Sequence, residues 1–337
     1  MISGSTTPNL LKVAIIGGYG HFECAFEDSR HREVFHICGI APGRVGEPIE
    51  NVVDLARQSG LCPEIYSTPM DLFNEIQPDV ALVTCRFSDH AQIIGEALAR
   101  GIHVLSEKPL ATNWEDFQQL QHAYAQGNSQ LSALFTMRYI PEMYTLANFV
   151  LSGGIGDVYS VQAQKSYKLG TRPTFFQERT SHGGLIPWVG SHTIDLICWL
   201  SNREVTHVRA WHSKAGAKKT GDLEMLAHIH CSLEGDCFGS AHLDYMRPEQ
   251  AATHGDDRVR VLGADGIAEV QGGIARVIRN GNEEILSGSD APNILMDFID
   301  QIKGKGACRV SADDAFRATR ICLTARDSAD LGKEIEL

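Results

Sequence analysis

Near the start of the chain stands VAIIGGYG, residues 13–20. Its first four residues are apolar and mostly β-branched, which is typical of a buried strand. The glycines that follow lack a Cβ, so the backbone can turn sharply there and a ligand can approach it closely. A glycine turn between a first strand and a helix N-terminus is where parallel sheets bind the phosphates of a nucleotide. We therefore interpret Gly17, Gly18, Tyr19 and Gly20 as nucleotide-binding residues.

This glycine turn departs from the strict GxGxxG pattern of dinucleotide-binding proteins. Counting from Gly18 places Glu23 at the third glycine position, and counting from Gly17 places Tyr19 and Phe22 in the pattern. A turn that only connects a strand to a helix is therefore an alternative to a phosphate site.

Short apolar runs alternate with longer amphipathic segments between about residues 11 and 135. In 89–100, for example, apolar residues recur on one helical stripe, and Gly101 follows as a stop signal. The alternation predicts six parallel strands covered by helices, at 12–16, 34–40, 64–66, 80–84, 103–105 and 131–135. We assign residues 1–135 to an N-terminal Rossmann domain, a doubly wound α/β fold.

The periodicity changes after about residue 152, where polar and apolar residues alternate with a period of two. One helical segment, 191–200, interrupts this pattern. The alternating segments predict antiparallel strands at 158–168, 205–212, 224–233 and 237–245, and a closing meander at 258–262, 267–271 and 275–279. We expect residues 136–308 to form an open, mainly antiparallel β-sheet domain of α+β type. We expect residues 309–337 to form a C-terminal helix that packs back on the Rossmann domain.

The charge and cysteine content narrow the class of function. The 42 acidic and 30 basic residues give a net charge of -12, which disfavours nucleic acid as a partner. The nine cysteines stand singly, so we expect no metal site, no disulfide framework and the reduced thiols of a cytoplasmic protein. The first residues show no basic segment followed by a long apolar one, and no run of roughly 18 apolar residues occurs, so we expect neither a leader peptide nor a membrane partner.

The end of the second predicted strand bears on the type of nucleotide. Rossmann proteins that select NAD usually place an acid there for the adenosine ribose, but this sequence reads Ala41-Pro42-Gly43-Arg44. Ala41 cannot repel a 2'-phosphate, and Arg44 could pair with one. The expected cofactor is therefore NAD or NADP, with a solvated loop arginine as the alternative interpretation of Arg44.

Five further motifs occur in order: EKP at 107–109, RYIP at 138–141, GIGDV at 154–158, GSHTID at 190–195 and SADLG at 328–332. With them the chain resembles, over nearly its whole length, the Gfo/Idh/MocA family of enzymes that are like glucose-fructose oxidoreductase and inositol dehydrogenase. The resemblance implies an NAD(P)-dependent dehydrogenase with a Rossmann domain and an open-sheet substrate domain. It also implies a homo-oligomer, a dimer or a tetramer, that forms through the outer face of that sheet.

Lys108 follows the fifth predicted strand, and residues at the carboxyl ends of parallel strands line the ligand crevice. An ammonium group there would stabilise alkoxide character on a hydroxyl that loses a hydride, and would orient that hydroxyl. Both Lys108 and Glu107 beside it are expected to contact the cofactor. A surface lysine before a proline turn is the alternative interpretation of Lys108. In the family the Lys-Pro peptide can be cis.

His192 is the candidate general acid and base, since an imidazole titrates near neutral pH and can exchange the hydroxyl proton as the hydride moves. The resemblance implies that Lys108 and His192 face each other across the substrate site. Asp195, one turn later, would orient the helix or the substrate. A histidine that only caps or packs the helix is the alternative.

Two regions differ from the family pattern. Trp188 stands where the family commonly has an aspartate that supports the histidine, and an indole cannot accept a proton. Trp188 would either stack on the substrate or belong to the core. Cys85, Phe87 and His90 stand where the family usually has a turn of Pro-Asn type near the nicotinamide, and we expect all three to contact the cofactor. Phe87 would stack on the cofactor ring or block it, and His90 would cap or pack its helix.

The substrate candidates are polar or aromatic side chains of the second domain: Lys165, Tyr167, Arg172, Arg179, His182, Trp188 and His192. Together they would suit a polyhydroxylated or carboxylated small molecule. We expect an oxidoreductase that acts on CH-OH groups of a sugar, an inositol or a related compound. The alternatives are a redox-cycling lyase or glycosidase of the same family, and a non-catalytic sensor of a nucleotide or another ligand.

Overall fold

The computed structural model describes residues 10–27, 32–216, 220–288 and 290–337. Contacts within the chain divide it into two compact units. The first unit contains the described residues up to Leu134 and the segment Asn293–Ala312. The second unit contains Phe135–Pro292 and Asp313–Leu337.

The first unit is built on six strands: β1 Leu11–Ile16, β2 Phe35–Ala41, β3 Glu64–Ile65, β4 Val80–Val83, β5 His103–Ser106 and β6 Leu131–Ala133. Its connecting helices are α1 Glu50–Gln58, α2 Pro69–Ile76, α3 His90–Ala99 and α4 Trp114–Ala125. All strand pairs are parallel, in the order β3-β2-β1-β4-β5-β6. Because the strand order reverses between β1 and β4, their carboxyl ends open a ligand crevice there.

The predicted doubly wound fold is confirmed, with one local difference beside the glycine turn. The chain forms a four-residue 3-10 turn, Phe22–Ala25, where a longer helix was expected. Among the described residues between Gly20 and β2 there is no α-helix. The described residues therefore place a short 3-10 turn, and not the first turn of a long helix, after the glycines.

The second unit is built on a mixed sheet whose strands are β7 Val158–Tyr167, β8 Val205–Ser213, β9 Leu226–Leu233, β10 Cys237–Asp244, β11 Gly255–Gly263, β12 Gly266–Gln271, β13 Ile274–Arg279 and β14 Asn282–Ile285. Its helices are α5 Pro141–Leu151, α6 Arg179–His182 and α7 Ser191–Ser201. Only β7 and β10 pair in parallel, so the sheet is mainly antiparallel, as predicted.

One face of this sheet is covered, because α7 packs on β7 and β10 while α5 packs on β12 and β13. In β9, residues Ala227, Ile229 and Cys231 are buried, whereas His228 and His230 between them are exposed. The alternating pattern in the sequence therefore reports a sheet with one covered face and one open face.

The last part of the chain divides differently from the expected domain boundaries. Helix α8, Ile294–Ile302, belongs to the first unit, since its apolar face is buried and Asn293 donates to the carbonyl of Cys24 over 2.8 Å. Helix α9, Ala312–Leu331, belongs with strand β15, Ile335–Glu336, to the second unit from Asp313 onward. The Ser328 hydroxyl on α9 accepts the amide of Ala210 over 3.1 Å. Helix α8 is thus grouped with the first unit and α9 with the second.

Candidate active site

The glycine turn after β1 lies against the ends of β4 and β5. Gly17 has a φ of 94°, and an added Cβ there would lie 2.3 Å from the Cα of Cys85. An added Cβ at Gly20 would lie 2.3 Å from Oε1 of Glu107. The Tyr19 amide donates to the Thr84 carbonyl over 2.7 Å. Only glycine fits these contacts, and the turn has the close backbone packing of a dinucleotide-binding loop.

Glu47 is an acid beside this turn that sequence reasoning missed. Its Oε2 accepts a hydrogen bond from the Gly43 amide over 3.1 Å, while its Oε1 is buried and has no hydrogen-bond partner among the described residues. Burial first, and then the charge of Asp89, raises the pKa of Glu47 to about 7. Glu47 could not be predicted from the strand pattern, because it lies in the loop beyond β2 and not at the end of the strand, where Ala41 stands.

Arg44, the expected partner of a 2'-phosphate, is bound to a carboxylate of its own unit. Its Nε donates to Oδ2 of Asp89 over 2.6 Å, and its Nη2 contacts Oδ1 of the same residue. Both residues line a cavity of about 450 Å³ with Gly43, Val45 and residues of α2 and α3. The guanidinium could reach a phosphate only by giving up part of this bidentate ion pair.

The loop after β4 is apolar where it meets the crevice. Cys85 and Phe87 are buried, and burial raises the pKa of the Cys85 thiol well above its usual range. His90 at the start of α3 is fully buried, with Nδ1 2.8 Å from the Pro109 carbonyl and Nε2 3.0 Å from the Cys85 carbonyl. Burial lowers the pKa of His90. His90 thus ties this loop to the turn that follows Lys108.

The EKP motif places two buried charges after β5. Glu107 is fully buried and accepts the His21 amide over 2.8 Å through Oε1, which also contacts the His21 ring. Lys108 is 3% exposed, with Nζ 3.9 Å from Oε2 of Glu107. Burial by itself would raise the pKa of Glu107, but His21 and Lys108 outweigh it and hold that pKa at about 2. The Lys108-Pro109 peptide is cis.

In the second unit His192 lies at the start of α7, directly after the π-helical turn Ile186–Gly190. The His192 side chain is 2% exposed, and its ring is edge-on to Phe135 at 6.3 Å. Asp195 accepts from Nε and Nη2 of Arg138 over 2.8 Å and 2.6 Å. Asp195 is therefore part of a buried ion pair of the second unit and not a carboxylate reserved for the histidine or a substrate.

Trp188 lies in the π-helical turn, one helical turn before His192. It is half-buried, and its ring is edge-on to Phe176 at 6.3 Å. Phe176 also stacks on the buried ring of His182, with 5.7 Å between centroids. Burial lowers the pKa of His182 to about 4, so this ring is neutral at pH 7. Phe176 was not predicted as a site residue, because no spacing in the sequence links it to Trp188.

The remaining substrate candidates differ in their partners. Lys165 is buried, and its Nζ donates to Oδ2 of Asp257 over 2.7 Å. Burial lowers the pKa of Lys165 against the opposing effect of Asp257. Tyr167 lies under the Lys165 ammonium, with 4.8 Å between Nζ and the ring centroid. Arg179 pairs with Asp330 over 2.8 Å and with Glu224 over 3.4 Å. The positive charges of Lys165 and Arg179 are thus already neutralised by carboxylates of the second unit.

The described residues were also compared with the requirements of a metal site and of a membrane-spanning helix. Within the described ranges, no group of three His, Cys, Asp or Glu side chains is placed to hold a metal ion. None of the helices in the part of the chain that the structure describes combines the length and the hydropathy needed to cross a membrane.

Comparison with known proteins places this chain in a family. Residues 11–135 match the NAD-binding Rossmann fold of an oxidoreductase family, and residues 143–269 match the GFO/IDH/MocA C-terminal domain. The rhizopine catabolism protein MocA of Rhizobium meliloti is 26% identical over 273 residues, which are 80% of this chain and 82% of that protein.

An enzyme of known activity and a solved structure also match this chain. Inositol 2-dehydrogenase of Salmonella typhimurium is 26% identical over 215 residues, 62% of this chain and 60% of that enzyme. A solved Thermotoga maritima structure with a provisional oxidoreductase name is 35% identical, with a TM-score of 0.93 over 97% of this chain and 100% of that chain. The chain therefore belongs to the Gfo/Idh/MocA oxidoreductase family, with a first domain of the NAD-binding type.

Proposed function

We propose that this protein is an NAD-dependent dehydrogenase that acts on a CH-OH group of a sugar, an inositol or a related polyhydroxylated small molecule. The observation that carries the proposal is the buried Lys108 ammonium, which follows the end of β5 in a domain of the NAD-binding type. An ammonium is costly to bury, so its place beside a ligand crevice favours a chemical role. The names of the relatives MocA and inositol 2-dehydrogenase favour a polyhydroxylated substrate.

The residues of the first unit fit a dinucleotide. The amides of Gly18 and Gly20 would hold the pyrophosphate, since those of Gly17 and Tyr19 donate to the Ala41 and Thr84 carbonyls. Ala41, Cys85 and Phe87 would line the adenosine and nicotinamide ends. When bound, the nicotinamide ring accepts or supplies the hydride. We propose NAD rather than NADP, because Asp89 neutralises Arg44 and Glu47 adds a second acid where a 2'-phosphate would need positive charge.

Lys108 would donate a hydrogen bond to the substrate oxygen from which the hydride departs. As the C-H bond breaks, negative charge grows on this oxygen, and an ammonium already in place stabilises that charge without reorganisation. The ionised Glu107 carboxylate lies 3.9 Å from the Lys108 Nζ, which is an attractive arrangement of opposite charges. In the reverse reaction the same ammonium would polarise the carbonyl.

His192 would take the hydroxyl proton during oxidation and return it during reduction. Its burial removes competing water, and the edge-on Phe135 ring limits the rotation of the imidazole. Trp188 stands where the family commonly has its aspartate, and the nearby Asp195 pairs with Arg138. Trp188 would then provide an apolar wall for the substrate.

We also propose that the protein is a cytoplasmic homo-oligomer joined through the open face of the second-unit sheet. Large apolar side chains on this sheet, Tyr159, Trp211 and Phe238, are 52%, 48% and 56% exposed. Exposed apolar side chains on one sheet suit association of two copies. Sedimentation at several protein concentrations tests this, and a monomer at all of them would contradict it.

The decisive test of the cofactor role is calorimetric titration with NAD(H) and NADP(H), followed by an assay of polyols and sugars at 340 nm. We expect saturable NAD binding and weaker NADP binding. No binding of either nucleotide at millimolar concentration would favour a sensor. Product formation without net NADH accumulation would favour a redox-cycling lyase.

A further inference from the structure

We propose that Arg172 forms a carboxylate-binding subsite in the second unit, so that the substrate is a sugar acid or a similar hydroxylated carboxylate. The inference rests on the proposed dehydrogenase function for the reaction, but the binding subsite itself does not require that function. Arg172 lies in the loop after β7, within the part of the unit that also holds Phe176, His182 and Trp188.

The Arg172 guanidinium is held by aromatic rings. Its Cζ lies 4.8 Å from the centroid of Tyr245 and 5.7 Å from the centroid of Phe176. Its Nη2 donates to the Lys168 carbonyl over 3.3 Å. Aromatic contacts restrict a guanidinium while its N-H groups still point outward in the plane, where two carboxylate oxygens can bind them side by side.

The donors of Arg172 are less satisfied than those of the neighbouring cations. Lys165 and Arg179 each lie within 2.8 Å of an aspartate oxygen. Over the described ranges, Arg172 has no carboxylate within 4.0 Å, and its Nε is buried without a hydrogen-bond partner. A buried donor without a partner costs free energy that a bound acceptor would recover.

A cavity lies beside this guanidinium. It has a volume of about 190 Å³, and Arg172, Phe176, Gln177 and Thr220 contribute to its lining. The Thr220 hydroxyl is buried and also lacks a hydrogen-bond partner among the described side chains and backbone atoms. The cavity is lined by a cation and by the apolar side chains of Pro173, Phe176 and Leu223, which together suit a carboxylate on a short carbon skeleton.

The charge of the region favours a carboxylate over a phosphate ester. Arg172 is one cation, and the acids Glu224 and Asp257 belong to the same unit and pair with Arg179 and Lys165. A single guanidinium neutralises a monoanion, whereas a phosphate dianion would keep a net charge in a partly buried site.

The subsite is connected to the residues of the proposed proton transfer. Phe176 lies 5.7 Å from the Arg172 guanidinium and 6.3 Å, edge-on, from the Trp188 ring, and Trp188 precedes His192 by one helical turn. A carboxylate bound by Arg172 would therefore anchor a substrate whose hydroxyl end lies toward Trp188 and His192.

Calorimetric binding of D-glucuronate, D-glucose and glucose 6-phosphate to the NAD-loaded protein tests the inference. We expect the wild type to bind glucuronate at least about tenfold more tightly than glucose, as charge-assisted hydrogen bonds predict. Arg172→Met should remove this difference while leaving NAD binding and the melting temperature unchanged. Arg203→Met is the matched control, because its guanidinium donates to the Glu234 and Gly235 carbonyls at the opposite end of β8 and β9.

Three results would overturn the subsite: equal binding of glucuronate and glucose by the wild type, an undiminished preference in Arg172→Met, or tighter binding of glucose 6-phosphate. Should Arg172→Met unfold, Arg172→Lys serves instead, and it should keep part of the preference because it retains the charge without the planar fork. Glucuronate binding that depends on Arg172, in a protein that shows no NAD turnover, would support the subsite and contradict the dehydrogenase.

Discussion

Two buried cations, one in each unit, are held by carboxylates in different ways. Arg138 in the second unit makes two hydrogen bonds to Asp195, of 2.8 Å and 2.6 Å. The Lys108 backbone amide in the first unit donates to Oε2 of Glu107 over 3.2 Å, while the Lys108 Nζ lies 3.9 Å from that oxygen, which is beyond hydrogen-bond length. The close bidentate pair is typical of a group that stabilises the fold. We therefore propose a structural role for Arg138, and the burial of Lys108 after β5 supports the chemical role proposed for it.

The largest expected effect is on catalysis by Lys108. Lys108→Met should lower kcat/KM by about a thousandfold, since it removes a charge that stabilises the reacting oxygen. The melting temperature should change little, and NAD titration should still saturate. Steady-state kinetics on the best substrate, beside the exposed Lys305→Met as control, would measure this. Unchanged turnover in Lys108→Met would remove the basis of the assignment.

Arg138 should show the opposite behaviour. Arg138→Met should destabilise the protein by about 3 kcal/mol, because it leaves the Asp195 carboxylate buried without its cation. The double variant Arg138→Met with Asp195→Leu should recover part of this loss. Chemical denaturation would measure both, and Arg57→Met, in an exposed ion pair, should cost close to nothing. A stable but inactive Arg138→Met would contradict the structural role.

His192 should have a smaller kinetic effect than Lys108. His192→Asn should lower kcat by about a hundredfold, which is typical for loss of a general acid or base. It should also remove the limb of the pH-rate profile near neutral pH. A profile that keeps this limb in the variant would assign the titration to another group.

The smallest effect concerns Glu47. Its pKa is raised from 4.5 to about 7 in the folded protein, so the stability it contributes is present below pH 4.5 and is lost as pH rises through 7. Glu47→Gln should therefore melt like the wild type at pH 4.5 and be more stable at pH 8, by about 2 kcal/mol or less. Glu33→Gln, an exposed control, should show no such difference. Glu47→Gln should also bind NADP more tightly. A gain in stability that does not depend on pH would contradict the raised pKa of Glu47.

The cofactor crevice and the substrate region differ in how far their residues could be predicted. Gly17 and Lys108 directly follow strands, and a strand end in a parallel sheet leads to the crevice, so local pattern was enough to name them. Arg172 and Tyr245 come from a loop after β7 and from the segment after β10. Nothing in their spacing predicts that the guanidinium lies over the ring, because their proximity depends on strand pairing.

By itself the sequence determined the strands, their parallel or alternating character, the glycines of the turn and the lysine after β5, because these follow from periodicity and from backbone conformations that only glycine adopts. Tertiary structure alone decided that Arg44 pairs with Asp89 and Arg138 with Asp195. It also decided that Glu47 accepts a hydrogen bond from the Gly43 amide. It also decided that α8 returns to the first unit. The physical reason is that a charge finds its partner through space, and a local pattern carries no information about which distant residue folding brings within reach.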